Sequence, residues 1–75
     1  MKEGMLWYDS QENVDVKDKI ISAIEFFESK YGYVPKKCFV NPVTLGKTIN
    51  LDEKTEILPN NHVIANHFWL EFTSK

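Results

Sequence analysis

Hydrophobic positions along this 75-residue chain change their period several times, and each change marks an element. Gly4 to Asp9 carries Met5-Leu6-Trp7-Tyr8 with no breaker, as a buried or half-buried strand would. Ser10 to Asn13 reads as a polar turn. Val16, Ile20, Ala23, Ile24, Phe27 and Tyr31 then recur at three- and four-residue intervals and share one face about 100° wide, the width that packs on a sheet. Asp15 stands at the N-cap position, with Asp18 in the place of a capping-box residue. Gly32 follows the last apolar position and can take the left-handed C′ conformation, Lys30 suits the last turn, and Pro35 prevents continuation. The spacing predicts a helix over Val16–Tyr31. Ile21 and Phe26 lie to either side of the stripe; rim packing accounts for both, whereas an exposed Phe26 would mark a partner surface.

Lys37-Cys38-Phe39-Val40 is a short second strand ended by Asn41-Pro42. A strand, a helix and a strand on short links imply a right-handed crossover with the two strands parallel. After a turn at Leu45-Gly46, Thr48 to Leu51 and Thr55 to Leu58 look extended, with Asp52-Glu53-Lys54 as a hairpin between them. In the last strand, His67 to Thr73, Phe68, Leu70 and Phe72 point one way and His67, Trp69, Glu71 and Thr73 the other. The order β-α-β-β-β defines an α+β fold, one domain over residues 1–75, with a single helix on one face of a mixed four- to five-stranded sheet. The opposite face then lacks cover from the chain, and large aromatics on it, Trp69 with Trp7 or Tyr8, imply a partner or a second subunit.

Composition adds constraint. With 43% hydrophobic and 27% charged residues, disorder and low-complexity architectures are excluded. No apolar run approaches the ~20 residues that span a bilayer, and Met1-Lys2-Glu3-Gly4 lacks a signal-peptide pattern. The single cysteine, Cys38, closes no internal disulfide, which fits a cytoplasmic setting. So short a domain buries only roughly 60% of its unfolded surface, which makes a homodimer a reasonable expectation.

The net charge of −2 is unevenly spread: residues 1–29 carry −4, residues 30–50 carry +4 with no acid, and residues 51–75 carry −2. All nine basic residues are lysine. The absence of arginine argues against base-specific DNA recognition, while lysines can still neutralise phosphates. Lys30, Lys36, Lys37 and Lys47, interleaved with Tyr33, form the residue set of a weak, non-specific single-strand binder, although a solvated basic surface is the commoner reason for such a block.

Catalytic signals are sparse. His62 and His67 are five apart across a loop-to-strand boundary, and together with Cys38 they lack the short paired spacing of a zinc site. A Cys38–His nucleophile pair competes with the commoner role of a small buried thiol. No Gly-rich phosphate cradle, GxSxG, HExxH or acidic calcium loop is present. The chain therefore reads as non-enzymatic, without cofactor or metal.

Tyr31-Gly32-Tyr33-Val34-Pro35, Val40-Asn41-Pro42 and Asn66-His67-Phe68-Trp69-Leu70 resemble the YGxxP, NP and NHFW-like motifs of small uncharacterised bacterial and mobile-element proteins. The resemblance covers roughly residues 16–72; it implies a small domain type in which His67 and Trp69 act together, and attaches no activity to it. The resulting expectation is a binding or assembly module that contacts a second copy or a protein partner through Trp7, Phe26, His67 and Trp69, with nucleic-acid binding by the 30–50 segment as the alternative.

Overall fold

The computed structural model describes residues 3–46 and 54–73. In chain order these form β1 (Gly4–Tyr8), α1 (Val16–Tyr31), β2 (Lys37–Val40), a one-turn α2 (Pro42–Leu45), β3 (Glu56–Pro59) and β4 (His67–Glu71). The strands make one mixed sheet in the order β1-β4-β2-β3. β4 runs antiparallel to both β1 and β2, and β3 is parallel to β2. This is the expected α+β architecture with one main helix against a four-stranded sheet.

The helix bounds follow from the end signals. Gly32 adopts φ 83° and its N–H donates to the Glu28 carbonyl, closing α1 in the left-handed cap that a β-carbon would penalise. Asp15 does occupy the N-cap, but its side chain makes no capping hydrogen bond, so the anticipated box with Asp18 does not form. The stripe buries Ile20, Ala23 and Phe27 completely against Phe68 and Leu70 of β4 and Cys38 and Val40 of β2. Around Phe27 the rings of Tyr31, Tyr33 and Phe72 gather at centroid distances of 4.8, 5.2 and 5.9 Å. That cluster joins the end of α1, the link to β2 and the chain leaving β4. Such tilted and edge-on pairs add roughly 0.5–1.5 kcal/mol each beyond burial.

Three expectations change. β1 and β2 do run in the same direction around α1, but they are not neighbours, because β4 inserts between them. Asn41-Pro42 ends β2 and also starts α2: Asn41 Oδ1 accepts from the Val43 N–H at 2.9 Å and Pro42 takes the first turn, where no amide donor is needed. β3 pairs in parallel with β2; the Thr48–Leu51 strand and all but Lys54 of the proposed hairpin lie outside the described residues.

β1 reaches β4 through a close approach at Gly4, where any β-carbon would collide with the Leu70 carbonyl oxygen. Gly4→Ala must therefore push β1 off the central strand. We expect a loss of about 1–3 kcal/mol, the cost of overpacking, read as a lower urea midpoint at unchanged slope.

Candidate functional site

The pairing register decides which side chains meet on the face away from α1. Leu6 pairs with Trp69, Trp69 with Phe39, and Phe39 with Leu58, so four apolar side chains cross all four strands in one row. Tyr8 pairs with His67 in the adjoining row, their rings 4.8 Å apart. On the other side lies a polar row containing Glu71, Lys37 and Glu56. Leu6 is 54% and Tyr8 61% exposed, while Phe39, Leu58, His67 and Trp69 are half-buried.

The β3–β4 connection borders this face. Asn41 Nδ2 donates to the Val63 carbonyl at 2.8 Å, and the Asn66 N–H donates to Thr44 Oγ1 at 3.0 Å, so α2 holds the loop by two side chains. Asn60 Oδ1 accepts from the His62 N–H at 2.8 Å, turning the chain at the end of β3. The loop thus presents Val63 and Ile64, the latter 69% exposed, beside Leu6 and Trp69. With His62 and His67 they enclose an apolar notch of about 210 Å³. His67 Nδ1 lies 2.8 Å from the Ala65 carbonyl, which can only accept, so Nδ1 carries a proton and donates, fixing the ring against the loop.

Trp69 and His67 stand together on this face as the strand alternation predicts. Trp7 does not join them. Its register partner is Phe68, which lies under the helix, so Trp7 is half-buried on the covered side against Phe26 at 5.0 Å. Tyr8 takes the place expected of Trp7. Phe26 remains 45% exposed, but it lies on the helix side with Trp7, away from Trp69. The Trp7 Nε1–H is buried with no acceptor among the described residues, which costs about 1–3 kcal/mol.

Of the proposed nucleic-acid set, Lys30, Lys36 and Lys37 are exposed and Lys47 lies outside the described residues. Lys30 Nζ sits 5.4 Å from the Tyr31 ring centroid. Tyr33 is not a free stacking platform: its ring meets Phe27 edge-on and its hydroxyl accepts from the Thr73 N–H at 3.2 Å. Cys38 is fully buried on the helix side, whereas His62 and His67 line the notch on the opposite face, so the sheet separates thiol from imidazoles. Among the described residues no three His, Cys, Asp or Glu converge as a metal site, and no helix is long and apolar enough to cross a membrane.

The chain matches no protein-family model, no curated protein and no solved structure.

Two predictions follow from these contacts. Asn41→Ala removes both the α2 cap and the anchor of the 60–66 loop, and we expect about 1–2 kcal/mol of destabilisation with faster amide exchange at Val63 and Ile64. Burial raises the Cys38 thiol from 9.0 to about 12. The unfolded thiol ionises first, so native stability is unaffected below pH 9 and falls as pH climbs from 9 toward 12, by about 1.4 kcal/mol at pH 10. Urea unfolding at pH 8 and pH 10 should show this increment in the wild type, with Cys38→Ala lacking it.

Proposed function

We propose that this protein is a non-enzymatic binding and assembly module that associates with a second copy of itself through the helix-free face of the sheet. The observation that carries this reading is the Leu6–Trp69–Phe39–Leu58 row, flanked by Tyr8, His67 and Ile64. Side chains of this size on a sheet face that no other described helix or strand covers are what sheet-on-sheet packing uses. A second copy suits the face because its polar row carries both signs. Lys37, with Glu71 and Glu56 on the neighbouring strands, can meet the same residues of a two-fold-related copy as opposite charges. The same carboxylates oppose a polyanion.

Magnitude sets the kind of association. Four strands at ~4.8 Å spacing and five residues at ~3.3 Å give a flat footprint of about 300 Å², short of the ~800 Å² per partner of a standard interface even after allowing for side-chain relief. The dimer is therefore a weak one, with dissociation in the micromolar range or above. Light scattering on eluting protein between ~10 μM and ~1 mM should show the mass rise from 8.8 kDa toward twice that value, concentrations being chosen to bracket such an affinity. Trp69→Ala should remain monomeric, and Trp7→Ala, altered on the covered side, should still associate wherever it is folded. A wild type that stays monomeric at the highest concentration overturns the proposal. Monomer that instead binds an unstructured oligonucleotide at ~50 mM salt transfers the function to the basic segment.

A further inference from the structure

A second concavity lies at the other functional end of the fold, where β1 and β2 both hand the chain on. The 9–15 link, the start of α1, Thr44 of α2 and Asn66 border a crevice of about 620 Å³. In open sheets with crossover helices, the carboxyl ends of like-directed strands are where ligands are received. Here the crevice holds an unusual side chain. Lys19 is only 7% exposed, and its ammonium makes no hydrogen bond or ion pair with any described residue. Its nitrogen is not among the sealed unpartnered atoms, so the stem is covered while the charged tip opens to the crevice. A lysine tip kept in a niche without a counter-ion is a standing demand for an anion.

The surroundings supply further donors. The Asp15 side chain does not cap α1, which leaves the first-turn N–H groups unclaimed by that carboxylate at the positive end of the helix dipole. Thr44 Oγ1 accepts from the Asn66 N–H, so its own proton is free to donate outward. Asn66 is fixed from both sides, its carbonyl accepting from the Asp9 N–H at 3.0 Å, and holds a left-handed φ of 65°. Asn66 and Gln11, with carboxamide side chains, and Ser10, with a hydroxyl, line the same space. Against these donors stands Glu12 on the rim, with Asp15 and Asp18 exposed on the first turn.

We infer that this crevice is a binding site for a small monoanionic carboxylate, with Lys19 as its charged contact and Thr44 and the start of α1 as its neutral donors. One positive charge ringed by acids favours a single negative charge over the double charge of phosphate. The inference does not depend on association through the aromatic face, which lies elsewhere on the molecule.

Sodium acetate, inorganic phosphate and sodium chloride titrated into the isotope-labelled wild-type protein, at matched ionic strength, test it by amide and lysine-ammonium chemical shifts. Acetate should give saturable millimolar binding, with shifts centred on the 16–19 amides, Thr44, Asn66 and the Lys19 ammonium, and phosphate should bind more weakly. Lys19→Met, which retains the buried stem, should weaken acetate by about tenfold or more, the loss of one charge-assisted contact, while Lys19→Arg retains binding. Glu12→Gln, an exposed change that leaves folding untouched, should tighten acetate several-fold. Shifts that only follow ionic strength, phosphate binding tighter than acetate, or indifference of acetate affinity to both Lys19→Met and Glu12→Gln would each overturn the assignment.

Discussion

The whole arrangement depends on the last strand entering the middle of the sheet. β4 is hydrogen-bonded on both sides, by β1 in full register and by β2 over three positions, and α1 makes its main contact with it. Phe68 and Leu70 are consequently sealed from solvent, while the side chains between them emerge on the far side. Residues near the two ends of the chain thus become neighbours before any layer can close. The Phe72 N–H donating to the Glu3 carbonyl at 2.9 Å extends that closure beyond the strands. Contacts of such sequence separation charge the chain a loop entropy that is recovered only when β4 docks.

Among the described residues one main helix covers one face of the sheet. A second layer would need another amphipathic segment, and among the described residues the connection between β2 and β3 holds only the single turn of α2. The polar fastenings compensate at the edges: Thr55 Oγ1 donates to the buried Pro35 carbonyl at 2.7 Å, and Glu56 N–H to the Lys36 carbonyl at 2.8 Å, stitching β3 to the start of β2. They organise the rim of the sheet without shielding its outer surface. The aromatic row and the notch are the direct result.

How far the sequence discloses this can be judged element by element. α1 is legible to its end residues because the stripe, Gly32 and Pro35 each carry a separate physical cause. β4 is legible because the polar residues His67, Glu71 and Thr73 share one parity, which sets Phe68, Leu70 and Phe72 on the other. β1 is not, since Met5, Leu6, Trp7 and Tyr8 are all large and apolar, and alternation cannot say which pair faces inward. Only pairing with β4 assigns Met5 and Trp7 to the core side and Leu6 and Tyr8 to the open side. The parallel placement of β3 is equally hidden, because strand direction across a long connection is a tertiary property. Nothing in the helical period marks Lys19 for burial, because the 10–14 link, Thr44 and Asn66, which line the crevice with it, come together only in the folded chain.

The open face must also be weighed against the open edge. β1 is an edge strand with neither proline nor charge within Gly4–Tyr8, the kind of strand that invites pairing with another chain, whereas β3 at the opposite edge begins with Glu56 and ends with Pro59. Two β1 strands could pair antiparallel in the one register that uses all five residues, with Leu6 opposite Leu6. That register sets Glu3 of each copy against Asp9 of the other, so like charges face each other at both ends of the pair. Sheet extension through β1 is thereby opposed by the residues that bracket it. Stacking through the outer face has no such conflict, because the row crossing its middle is uncharged and the polar row beside it carries both signs. The flanking acids of β1 thus weigh against pairing through the edge, which accords with the face-to-face association proposed above.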